Sequence, residues 1–175
     1  LVTTLSTLGV VASAAPIIAT SCNSDETKSN YIKVGDKKEK LPEVLKQEDI
    51  SGFVPVSYPY GKTSYAALFI NNHYVKADLV TEINIAKTDG VVYLPNNFLF
   101  NSSTGCTHLK KLNLKGMQTT SVDNLLLSNC KDALAEFTAP TLVNKGNTSP
   151  IIGNGFLNGM TTLTKVDLSG LTNVT

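Results

Sequence analysis

The chain has 175 residues, a net charge of +1 and 42% hydrophobic side chains, long enough for one domain with a core, and nothing in these values marks the whole chain as a nucleic-acid binder or as disordered. The charge is unevenly placed: residues 1–22 carry none, whereas 23–49 carry 13 of the 29 charged side chains. All 15 basic residues are lysine, a bias that AT-rich codons would leave.

The first stretch, "LVTTLSTLGVVASAAPIIATSC", has no helical or alternating apolar period, and Pro16 interrupts it. A membrane-spanning helix needs about 20 strongly apolar residues, and this segment is too rich in serine and threonine. It reads as the core of a secretory signal whose basic leading region is missing. Two cleavage points are open. Ala12-Ser13-Ala14 suits cleavage after Ala14, which releases a free protein.

Ala19-Thr20-Ser21-Cys22 resembles the lipobox of bacterial lipoproteins, with alanine where many carry leucine. That resemblance implies a signal peptide over 1–21, a lipid on Cys22 (diacylglyceryl, with palmitate among the acyl chains) and a protein held on the outside of the cell membrane. Residues 22–50 hold mixed charge with few apolar side chains, and are expected to be a charged, flexible tether. Residues 51–79 are expected to form an N-terminal cap and the start of the first repeat. Pro55 and Pro59 argue against a central strand there, and Tyr58, Tyr60 and Tyr65 are expected to cover the end of a domain.

From residue 80 a pattern recurs: "VTEINI" at Val80, "LKKLNL" at Leu109, "LAEFTA" at Leu134 and "LTKVDL" at Leu163, starting 29, 25 and 29 residues apart. Each has apolar residues at positions one, four and six. The four-to-six alternation predicts a short strand with one apolar face, and a period in the twenties marks stacked units. "GCTHL", "NCKDAL" and "GMTTL" place Cys106, Cys130 and Met160 at equivalent positions before the strands, as buried apolar side chains.

These units resemble the leucine-rich repeats of bacterial surface proteins, of the type found in mycoplasma-like lipoproteins and oral-anaerobe surface proteins; "GCTHLKKLNLKGM" and "FLNGMTTLTKVDLSGLTNVT" match best. The implied fold over 80–175 is a right-handed leucine-rich-repeat solenoid, one short parallel β-strand per repeat, with irregular or short helical connections and a truncated C-terminal end.

Stacking would align two outward rows. Glu82, Lys111, Glu136 and Lys165 would form a structural ladder of alternating sign. Asn84, Asn113, Thr138 and Asp167 would form the candidate binding face. His73 and His108 lack neighbours at metal-ligand spacing, no acid–base or nucleophile set stands out, and no cofactor, metal or nucleic-acid partner is expected. The implied function is adhesion or recognition through a protein or glycan partner on a host or neighbouring cell, not catalysis. Two alternatives stay open: a lipid-anchored substrate-binding component of a transporter, and the N-terminal part of a larger surface enzyme.

Overall fold

The computed structural model describes residues 28–57, 64–70, 73–94, 106–122, 127, 130–144, 146, 152–153 and 156–172. Cys22, the lipobox-like segment, the Ala12–Ala14 site, Tyr58, Pro59 and Tyr60 lie outside the described residues. Among the described residues there are eleven strands: β1 (Tyr31–Val34), β2 (Lys37–Lys40), β3 (Ile50–Ser57), β4 (Ser64–Ile70), β5 (His73–Lys76), β6 (Val80–Asn84), β7 (Lys111–Asn113), β8 (Gln118–Thr119), β9 (Glu136–Thr138), β10 (Thr141–Leu142) and β11 (Lys165–Asp167). Single turns of 3-10 helix precede β3 and β6.

The main sheet has six strands in the order β11-β9-β7-β6-β1-β2. Strands β6, β7, β9 and β11 are parallel, and Ile83, Leu112, Phe137 and Val166 stand opposite one another. The hydrogen bonding repeats as well: Ile85 N–H donates to Asn113 O at 2.8 Å, Leu114 N–H to Thr138 O at 3.0 Å and Ala139 N–H to Asp167 O at 2.8 Å. Each bond lies one residue past its strand, so the units stack with one geometry. A short parallel pair, β8 with β10, follows the turns that leave β7 and β9. Strands β3, β4 and β5 form a separate antiparallel sheet. There β3, which contains Pro55, pairs only with β4, a position that does not need every backbone N–H.

The sheet as a whole is mixed, because β1, which precedes the repeats, runs antiparallel to both β6 and β2. This corrects the expected tether. Within 22–50, the described part from residue 28 onward is built into the domain. The reason lies in "YIKVGDKKEK". Ile32 points inward and is fully buried, Leu45 is fully buried and Ile50 is 3% exposed. Gly35, at φ +59°, opens the two-residue Gly35-Asp36 turn of a β-hairpin. The high charge density of this stretch, which includes Lys37 and Glu39 on the side of Ile32, hides these apolar positions.

Asn30 fastens the hairpin to the repeats. Its side chain is 1% exposed. Nδ2 donates to the carbonyls of Pro42, Glu43 and Lys87, and Oδ1 accepts from the N–H groups of Ala86 and Lys87. A buried amide is stable there because all its hydrogen-bonding capacity is used.

The core is the inward face of the parallel strands. Val80, Ile83, Ile85, Leu109, Leu112, Leu114, Leu134 and Phe137 are at most 1% exposed, and each such side chain contributes about 1.5–3 kcal/mol by leaving water. Cys106 and Cys130 are fully buried beside them, both as free thiols. Phe137 meets Phe156 edge-on at 5.8 Å.

The turns after β7 and β11 match. Met117 N–H donates to Leu114 O and Leu171 N–H to Leu168 O. In each, a glycine touches the backbone of the preceding unit: a Cβ on Gly116 would run into Ala86, and one on Gly170 into Pro140. Neither glycine has a positive φ, so close backbone approach sets the requirement here.

Candidate functional site: the outward face of the sheet

Alternation along each strand puts Glu82, Lys111, Glu136 and Lys165 on the side opposite the core, directly across from one another. The hairpin extends this row. Lys33 stands opposite Glu82, and Lys38 opposite Lys33. The complete row is therefore Lys38, Lys33, Glu82, Lys111, Glu136 and Lys165, a charged residue on every strand of the sheet.

The ion pairs within the row differ in quality. Lys33 Nζ is 2.8 Å from Glu82 Oε1, and Glu82 Oε2 also accepts from the Tyr31 hydroxyl at 3.2 Å. Lys38 Nζ lies 4.1 Å from the centre of the Tyr31 ring. Farther along, Glu136 Oε2 is shared by Lys111 at 3.8 Å and Lys165 at 3.6 Å. One carboxylate thus serves two ammonium groups. Long, solvated pairs of this kind contribute about 0–1 kcal/mol each.

The second row reads Lys40, Tyr31, Asn84, Asn113, Thr138 and Asp167. As a candidate binding face it needs correction at one end. Asn84 is only 2% exposed: its Nδ2 donates to Ser29 O at 2.7 Å, and its Oδ1 accepts from Asn113 Nδ2 at 2.7 Å. The segment leading into β1 covers it, so Asn84 is part of the scaffold.

Asn113 and Asp167 each have a structural task besides their position. Asn113 Oδ1 accepts from Lys115 N–H at 3.1 Å, and Asp167 Oδ1 from Ser169 N–H at 2.9 Å. These are Asx turns, which lead the chain out of the strand towards Gly116 and Gly170. The bonds to Ser169, with Lys115 nearby, hold the Asp167 carboxyl below its ordinary value. Thr138 is half-buried and lies between them.

A polar hollow of 220 Å³ opens on this face, lined by Lys111, Asn113, Lys115, Glu136, Thr138 and Asp167 among others. Lys115, from the turn after β7, reaches Asp167 at 3.8 Å and is 71% exposed. The repeat pattern alone did not point to Lys33, Lys38, Lys40 or Lys115. Alternation in "YIKVGDKKEK" carried the signal for the first three.

Other chemistry-bearing groups are placed as follows. His108 Nδ1 is 2.7 Å from Asp78 O and 3.2 Å from Thr107 Oγ1. His73 lies in β5. Burial, with the nearby Cys130 and Asp78, pushes the Cys106 thiol well up, and burial pushes Cys130 up to about 12. Among the described residues, no three His, Cys, Asp or Glu side chains gather to hold a metal ion. Among the same residues, no helix is long and apolar enough to cross a membrane.

Set against known protein families, curated proteins and solved structures, the chain matches none.

Proposed function

We propose that this chain is a lipid-anchored surface protein of a bacterium, and that it uses a leucine-rich-repeat face to bind macromolecules of a host or neighbouring cell. One observation carries the reading of the face. Four short strands separated by 29, 25 and 29 residues pair in parallel and in register, and their outward rows are polar. Repetition of one unit yields a broad, regular surface, an arrangement suited to extended contact. Anchoring rests on the sequence from Ala19 to Cys22. Two acyl chains on Cys22 would give stable membrane attachment, at about 0.8 kcal/mol per buried methylene.

Display of the full chain on beads or cells tests the reading. Lys111→Glu with Lys165→Glu, on the outward face, is expected to abolish adhesion to host cells. Lys87→Glu with Lys131→Glu, at exposed sites outside the two rows, is expected to leave it intact. Equal adhesion by both variants contradicts the assignment of the face. Recovery of an N-terminal peptide starting at Cys22 and carrying a diacylglyceryl mass tests the anchor, and an N-terminus at Ala15 contradicts it.

A further inference from the structure

The chain as a whole is close to neutral, with 15 lysines against 14 acids, yet the six-stranded sheet does not distribute its charge evenly. Its outward face collects Lys33, Lys38, Lys40, Lys111, Lys115 and Lys165 against Glu82, Glu136 and Asp167. That is six ammonium groups against three carboxylates. The two most exposed of these side chains are cationic: Lys115 and Lys165 are 71% and 74% exposed, while Lys33, Lys111, Glu82, Glu136 and Asp167 range from 22% to 41%. In the first row Glu82 stands between Lys33 and Lys111, and Glu136 between Lys111 and Lys165.

We propose that this face binds a linear acidic polysaccharide, carboxylated or sulfated, laid across the strands. The proposal rests on the reading of the face given above and names the partner class. Three features select that class. First, the lysines repeat at the strand spacing of about 4.8 Å or its multiples, which suits a chain with anionic groups at regular intervals. Second, the two rows offer a folded protein partner no apolar anchor; their one aromatic, Tyr31, is 3% exposed beneath Lys38. Interfaces between folded proteins draw most of their energy from such anchors. The same burial leaves no ring on these rows for stacking nucleobases. Third, a stiff polymer with fixed charges gives up less freedom on binding than a flexible acidic peptide.

The lysine–carboxylate pairs at 3.6–3.8 Å do not oppose binding. Exposed pairs of this kind are weak, so the ammonium groups exchange partners readily when a polyanion approaches. Glu136, between Lys111 and Lys165, sets the spacing of the two cations and disfavours a partner with charge packed too densely to avoid it.

The experiment uses the full chain with four probes: heparin, polygalacturonate, neutral dextran and poly-glutamate. Heparin or polygalacturonate is expected to bind, with affinity falling at least about tenfold between 50 and 200 mM salt as counterions compete for the lysines. K111Q/K115Q/K165Q is expected to weaken binding about tenfold or more and to flatten the salt dependence. K46Q/K87Q/K131Q, at exposed lysines away from the rows, is expected to do neither. Equal binding of dextran, tighter binding of poly-glutamate than of either polysaccharide, or equal losses from the two triple variants overturns the proposal. If neither polysaccharide binds while the outward-face variants still lose adhesion, the partner class fails and the face assignment survives. If polysaccharide binding depends on the face but adhesion does not, the assignment of adhesion fails instead.

Discussion

Lys33 Nζ meets Glu82 Oε1 at 2.8 Å, joining a residue of the charged N-terminal stretch to the first strand of the repeating region. The pair is partly exposed, at 30% and 22%, so Lys33→Gln is expected to cost no more than about 1 kcal/mol. The neighbouring Ile32, fully buried against the core, is expected to cost about 2–5 kcal/mol when cut to alanine. Urea unfolding of the two variants checks this. Similar small losses for both would mean that the hairpin does not belong to the cooperative fold.

Gly116 offers a second check on stacking. An added methyl would overlap the Ala86 backbone, and backbone cannot swing aside as a side chain can. Gly116→Ala is expected to destabilise by about 1–3 kcal/mol or more. Gly90, at φ +66° with open space around its Cβ position, is expected to accept asparagine with a smaller loss. Thermal melts of the two variants separate close approach from backbone conformation as the reason for glycine.

Much of this architecture is legible in the sequence, and the rest is hidden for identifiable reasons. The spacing of Ile83, Leu112, Phe137 and Val166 is enough to align four strands, because one apolar position per unit recurs and the side chain beside it is always polar. The role of Asn113 and Asp167 was also readable in principle: "NLKG" and "DLSG" pair an Asx residue with a glycine three positions on. Asn84 misleads because its chemistry matches Asn113, and only the packing of Ser29 over it shows that it is covered. The hairpin from Tyr31 to Lys40 was obscured by averaging. Its charges fall on both strands and both faces, Lys33, Lys38 and Lys40 outward and Lys37 and Glu39 on the side of Ile32, and lysines on an edge strand such as β2 discourage pairing with other chains.

Asp167 makes stability pH-dependent in a defined direction. Hydrogen bonds from Ser169 and the nearby Lys115 lower its folded value below the ordinary 3.8. Between those two values the unfolded chain binds more protons than the folded one, so stability rises with pH. Its contribution is present above 3.8 and is lost as pH falls through the lower folded value. Asp167→Asn is expected to keep the Asx turn, as Asn113 does at the equivalent site, and to remove this part of the acid dependence. Acid unfolding curves for the two proteins check it; parallel curves with the same midpoint contradict it.

Cys106 and Cys130 are expected to stay inert in the folded protein. Both are fully buried, and their thiols are pushed up, Cys130 to about 12. Since the thiolate is the reactive form, alkylation at pH 8 is expected to be at least about a hundredfold slower than after unfolding in urea. Mass spectrometry of the cysteine peptides resolves the two sites. Rapid labelling of either under native conditions contradicts the packing described for the start of each unit.

The most direct measurement is lysine footprinting of the full chain by acetylation, read by mass spectrometry with and without a saturating acidic polysaccharide. The outward face is expected to be protected at Lys33, Lys111, Lys115 and Lys165. Lys37, which lies on the opposite side of the same hairpin, and the exposed Lys46, Lys87 and Lys131 are expected to react as before. Protection at Lys37, Lys46, Lys87 or Lys131 with none along the row would contradict the claim that this face of the sheet is where the protein meets its partner.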